Sequence, residues 1–86
     1  MAISESITTS GTSTVVTPAG TVSEWSIEAS VPFLGRIELQ YRPPGFTTWQ
    51  ILSSDKRGVV STPSSTVEYR FAAFGVDQSV DVYFGE

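Results

Sequence analysis

The sequence predicts an all-β fold, an antiparallel β-sandwich of six or seven short strands. Apolar and polar residues alternate with a period of two along several runs, which sets one row of side chains toward a core and the other toward solvent. Clusters of Pro, Gly and Ser punctuate those runs at spacings of roughly 8 to 12 residues, the rhythm of a sandwich or small barrel. No stretch carries apolar residues at i, i+3, i+4 and i+7 over three turns, so no helix is expected. The sandwich is favoured over the barrel because two alternating sheets each need the other to cover an apolar face.

The segment 1–13 is almost entirely small and hydroxylated, with Ile3 and Ile7 as its large apolar side chains. Two readings stay open for it: a flexible arm, or an extended arm that orders by pairing with the sheet edge of a neighbouring subunit. Residues 14–86 form a single domain. Within it, 14–17 is a short β-branched strand stopped by Pro18, Ala19 and Gly20, and 21–29 a second strand with Trp25, Ile27 and Ala29 on one face. A connection at 30–35 leads into the clearest hairpin, 35–52, where Ile37, Leu39 and Tyr41 alternate with charged residues. Pro43, Pro44 and Gly45 turn the chain, since proline gives the ladder no N–H and glycine tolerates positive φ. Trp49 and Ile51 are expected to resume the apolar row on the return arm. After the polar cluster 53–58, Val59 and Val60 support a brief strand. The run 66–74 then sets Val67, Tyr69, Phe71 and Ala73 on one row, and Val80, Val82 and Phe84 alternate in the last strand.

A chain of 86 residues makes one domain and buries about 60 to 65% of the surface its unfolded form exposes. Cysteine is absent, so the five Phe, three Tyr and two Trp must hold the core without disulfides or thiolate metal sites. Histidine and asparagine are absent too, which removes the commonest general base, the commonest zinc ligand and any N-glycosylation acceptor. The net charge of −4 sets nine carboxylates against Arg36, Arg42, Lys56, Arg57 and Arg70. Dispersed acidity argues against nucleic acid or an anionic membrane as partner. No run approaches the roughly 20 apolar residues of a membrane span, and the N-terminal residues lack the pattern of a secretory signal, so synthesis in a cytosol is expected.

Candidate chemistry is sparse. Ser53, Ser54 and Lys56 are the one serine–lysine grouping, and a solvated turn beside Asp55 and Arg57 does not lower a lysine pKa as such a dyad requires. Glu24 and Glu28 share a strand face but stand about 13 Å apart, beyond the roughly 5 to 9.5 Å of paired glycosidase carboxylates. Asp55, Asp77 and Asp81 lack the spacing of a calcium loop. No catalytic residue, cofactor or metal ligand is therefore assigned. Tyr41 and Trp49 could stack on a sugar, but their rows assign them to the core with Trp25, Tyr69 and Phe71. Phe74 and Tyr83 fall on otherwise polar rows, and Phe46 sits at a turn tip, so these are the aromatics available for contact.

The run Ile37 to Trp49 resembles the third strand and following turn of fibronectin type III and related immunoglobulin-like sandwiches. Trp25 resembles their core tryptophan on the second strand, and Tyr69 to Ala73 their penultimate strand, whose tyrosine bonds to backbone at a corner. A narrower resemblance is to small bacteriophage virion proteins, carried by Ser10 to Ser13, Leu39 to Trp49, Glu68 to Phe71 and Val80 to Tyr83. It implies a non-enzymatic role on the phage particle: decorating or cementing the capsid by bridging neighbouring subunits, or serving in the neck or tail. The implied partners are the major capsid protein or other virion proteins, and copies of the chain itself; the implied location is the virion. Partner contact is assigned to Ile3, Ile7, Phe46 and Phe74. The alternative is a carbohydrate-binding module, which requires an exposed Trp49 or Tyr83.

Overall fold

A computed structural model describes residues 3–18, 22–29, 35–62 and 66–85. They form eight strands and no helix: β1 (Ile3–Ile7), β2 (Gly11–Thr12), β3 (Val22–Glu28), β4 (Arg36–Arg42), β5 (Gln50–Ser53), β6 (Arg57–Ser61), β7 (Glu68–Phe74) and β8 (Val80–Gly85). Two antiparallel four-stranded sheets result, with orders β1-β8-β3-β6 and β2-β7-β4-β5. The sandwich is as expected, with eight strands instead of six or seven. The two additional strands come from the segment 1–13.

Alternation does most of the work. Trp25 and Ile27 on β3, Ile37 and Leu39 on β4, Phe71 and Ala73 on β7, and Val80, Val82 and Phe84 on β8 all turn inward and are buried. The core closes between the sheets where Tyr69 of β7 stacks on Phe84 of β8, centroids 4.9 Å apart and planes 24° from parallel. Such a stack adds about 0.5 to 1.5 kcal/mol to the burial of both rings. Consecutive β7 and β8 belong to different sheets, so the chain crosses the core at residues 75–79. The place beside β7 that the last strand holds in immunoglobulin sandwiches is taken here by β2.

Glycine is required at two points. Gly35 has φ +84°, and a Cβ there would collide with the backbone carbonyl of Phe74. Gly45 has φ +87° and follows Pro44, while the Phe46 N–H donates to the Pro43 carbonyl at 3.2 Å. Proline at the second position and a left-handed glycine at the third are the signature of a type II turn.

Three local readings change. The strand expected at 14–17 is reduced to one bridge, Val16 to Tyr69, and the pairing moves upstream to β2. Ala29 lies beyond the end of β3 and is exposed. Trp49 and Ile51 do not resume the core row. A bulge shifts the β4–β5 register between Leu39 and Gln40, so Leu39 faces Ser53 while Gln40 faces Ile51. On the turn side of the bulge, Ile51 is opposite Gln40 and Gln50 opposite Tyr41, so Ile51 and Trp49 lie on the outer face while Leu52 packs on the core. The loops expected at 19–20, 30–34 and 63–65 lie outside the described residues.

Candidate functional site

Of the four residues assigned to partner contact, two belong to the protein's own core. Ile3 and Ile7 are 1% and 8% exposed, because β1 pairs in register with β8, Ile3 opposite Phe84 and Ile7 opposite Val80. The segment 1–13 thus finds its sheet edge within the same chain, which corrects its reading as a flexible or neighbour-bound arm. Its hydroxyls serve the backbone that it meets. Ser13 Oγ accepts from the Phe71 N–H at 2.8 Å and Ser10 Oγ from the Gly75 N–H at 2.8 Å. Glu5 faces inward at the outermost strand and accepts from the Thr14 N–H at 3.1 Å. An inward charge of this kind is a recognised way to stop further strands adding to an edge.

The other two assignments remain at the surface. Phe46 is 55% exposed at the turn tip; Phe74 is 40% exposed and lies beneath the Arg36 guanidinium, whose Cζ sits 4.5 Å from the ring centroid. Phe46 has company that alternation did not reveal. Ile51 is 62% and Val59 65% exposed, and these three are the most exposed large apolar side chains among the described residues. Ile51 and Val59 stand on the two strands that end their sheets on one long side of the sandwich, Ile51 on the outer face that carries Gln40 and Val59 on the opposite outer face that carries Glu24. β5 ends its sheet there, β6 ends the other, and only residues 54–56 connect them. Phe46 caps the turn leading into β5. The signal that could have found this edge is the pair of short strands 50–53 and 57–61 flanking a tight polar turn, a pattern that leaves both strands outermost.

The outer face of the β2-β7-β4-β5 sheet carries an ordered polar layer. Glu38 and Gln40 are buried there although they point away from the core. Arg36 Nε donates to Glu38 Oε2 at 2.9 Å, Gln40 Nε2 to Glu38 Oε1 at 3.2 Å, and Arg70 Nε to Gln40 Oε1 at 2.9 Å. Arg42 pairs with Glu68 at 2.7 Å. Arg42 and Arg70 both stack on Trp49, their Cζ atoms 4.7 and 4.2 Å from the ring centroid. Burial, and then the neighbouring Arg42 charge, holds the Arg70 pKa below its ordinary value. Trp49 is therefore a pedestal for two guanidinium groups, neither a core residue nor an open sugar platform.

The opposite outer face, on β1-β8-β3-β6, is acidic. Glu24, Glu28 and Asp81 stand there with Arg57, and Glu28 sits directly across from Asp81 in the β3–β8 register. Arg57 approaches Glu28 only to 3.9 Å, with both side chains well exposed, and Asp81 accepts from Ser6 Oγ at 2.6 Å. Tyr83, 39% exposed, separates two shallow grooves of about 280 and 330 Å3. Among the described residues no three acidic side chains converge into a metal-binding group. No protein-family model, no curated protein and no solved structure matches the chain.

Proposed function

We propose that the chain is a non-enzymatic structural protein of a phage particle, which decorates or cements the capsid by bridging neighbouring subunits through the edge formed by β5, β6 and the turn 43–46. The observation that carries the binding mode is that β5 and β6 end the two sheets on the same side, with no further strand on either among the described residues, and that each carries an exposed apolar side chain, Ile51 and Val59, with Phe46 at the turn leading into β5. Strand addition supplies main-chain hydrogen bonds, and flanking apolar side chains supply specificity. The particle itself is proposed from the phage-like runs Leu39 to Trp49, Glu68 to Phe71 and Val80 to Tyr83.

The test is occupancy on purified virions. The protein is expected to co-purify at a copy number comparable to the major capsid protein. A triple Phe46→Ser, Ile51→Ser, Val59→Ser variant is expected to stay folded and lose most of its occupancy. Absence from virions rejects the particle; full occupancy of the folded triple variant rejects the edge.

A second reading has one observation in its favour. Tyr83 offers an exposed ring between grooves lined by Ser4, Ser26, Glu24 and Asp81, groups that suit stacking on and hydrogen bonding to a neutral glycan. Calorimetric titration against a glycan panel, with Tyr83→Ala as control, decides it: no heat for any glycan eliminates the carbohydrate module.

A further inference from the structure

The two outer faces each hold like charges together, and the charges have opposite sign. On the β1-β8-β3-β6 face, Glu28 and Asp81 occupy directly opposed positions on adjacent strands, an arrangement that destabilises a sheet. Exposed Arg57 at 3.9 Å is a weak counterion for Glu28, and Asp81 has the uncharged Ser6 hydroxyl as its hydrogen-bond donor. On the other face, Arg42 and Arg70 are drawn onto the single ring of Trp49. Glu68 pairs with Arg42, while Arg70 has the uncharged Gln40 as its hydrogen-bond partner. Three guanidinium groups (Arg36, Arg42, Arg70) against two carboxylates (Glu38, Glu68) leave that face positive. Three carboxylates (Glu24, Glu28, Asp81) against Arg57 leave the first face negative. Nothing within one molecule brings the two together, because they lie on opposite sides of the sandwich.

We infer that the acidic face of one copy docks on the arginine face of the next, so that the chain stacks head to tail with itself. A second copy is the occupant because it supplies the complementary field. The Arg42–Trp49–Arg70 stack presents cations already ordered, and the Glu28–Asp81 pair presents carboxylates whose mutual repulsion a cation relieves. The molecule measures 35 × 25 × 18 Å, so its broad faces are of the order of the roughly 800 Å2 per partner that a specific interface buries. Two different faces meet, which makes the contact heterologous: it closes into a ring or runs on as a stack, and it does not stop at a two-fold dimer. The contact joins sheet faces, leaves the main-chain edges of β5 and β6 unpaired and does not rest on the phage reading, so failure of either leaves the other standing.

Sedimentation of the purified chain tests this. At low ionic strength and concentrations up to about 1 mM, the wild type is expected to exceed monomer mass. Its apparent dissociation constant is expected to rise tenfold or more when salt is raised to about 0.5 M. A Glu28→Gln, Asp81→Asn variant and an Arg42→Gln, Arg70→Gln variant should each be monomeric. Mixed, they should form a 1:1 dimer and nothing larger, since each retains the face that the other lacks. A wild type that stays monomeric, a folded variant that associates like the wild type, or two folded variants that fail to pair overturns the proposal. Should the arginine variant not fold, the amide variant at positions 28 and 81 added in small amounts to wild type must cap the stacks and lower the mean mass. An unchanged mean mass overturns the proposal equally.

Discussion

The two long edges of the sandwich are built from similar material and finished in opposite ways. At one, residues 3–16 run first along β8 and then along β7, bury Ile3 and Ile7, and lend the hydroxyl of Ser13 to a backbone N–H of the neighbouring strand. Glu5 turns inward on the outermost strand and accepts from the Thr14 N–H, an inward charge that discourages a further strand. At the other edge, β5 and β6 expose Ile51 and Val59 with no such closure among the described residues. A hydroxyl-rich segment looks unable to order itself, yet here it has the most to gain by folding. Two isoleucines reach the core, and the hydroxyls satisfy backbone groups that would otherwise lack partners. The edge with the more apolar local sequence is the one left open.

The comparison breaks most directly on a matched pair of isoleucines. Ile3→Ala at the closed edge removes a fully buried side chain opposite Phe84, and is expected to destabilise by about 2 to 5 kcal/mol. Ile51→Ala at the open edge should stay within about 0.5 kcal/mol. Urea denaturation of both variants reads the difference. Equal losses would mean that the edges are finished alike.

Much of the core was legible in the sequence because the period of two is strict on β3, β4, β7 and β8, where both neighbouring strands enforce it. Trp25, Ile37, Leu39, Phe71, Val82 and Phe84 all follow from alternation alone. Alternation failed at β5 for a physical reason: the hairpin register sets Ile51 opposite Gln40 and Gln50 opposite Tyr41, which turns the Trp49–Ile51 row outward, and register leaves no mark in the period of a single strand. It failed at β1 for another. Ile3 and Ile7 are four residues apart with only small or polar groups between them, too thin a pattern to read as a strand until β8 provides Val80 and Phe84 as partners. The open edge was half visible, in Phe46 at a Pro-Pro-Gly turn, and half hidden by the hairpin register that turns Ile51 outward.

The open edge is not a loose one, and Gly58 is where that shows. A Cβ at Gly58 would lie 2.9 to 3.0 Å from the Trp25 indole, so β6 passes directly over the core tryptophan. Gly58→Ala is expected to destabilise by about 1 to 3 kcal/mol as the indole is pushed from its place, with the shift visible in tryptophan fluorescence. A neutral effect would mean that β6 floats free of the core. On the closed side, Ser13→Ala strips the Phe71 N–H of its side-chain acceptor in a buried position and should cost about 1 to 2 kcal/mol. Ser54→Ala, in the turn joining the open-edge strands, should cost nothing measurable.

Alkaline pH sharpens the same contrast. Burial raises the Tyr69 pKa above its ordinary value of 10.0, and the neighbouring Tyr41 adds to the shift. A raised folded-state pKa means that the native state holds the proton more tightly than the unfolded one. The associated stability is complete below pH 10 and is lost as pH rises through the folded-state value. The Tyr69 backbone exchanges hydrogen bonds with Val16, so the closed edge is expected to gain hydrogen-exchange rate first. Tyr69→Phe should flatten the alkaline slope of stability; an unaltered slope would assign it to another group.

The smallest effect on stability is expected to have the largest effect on association. Val59 points to solvent from the outermost strand of its sheet, where its loss removes little buried area. Val59→Lys should therefore leave the urea midpoint within about 0.5 kcal/mol of wild type. A lysine on an outermost strand is, however, among the devices by which proteins refuse an added strand, because pairing would desolvate the ammonium. If this edge is kept open for a partner, the variant converts it into the functional equivalent of the edge that Glu5 already guards. Under the proposed capsid role, the decisive measurement is occupancy on purified virions alongside the urea curve. Stability unchanged and occupancy lost would locate the contact at β6, and occupancy retained on a fully folded variant would move it elsewhere on the molecule.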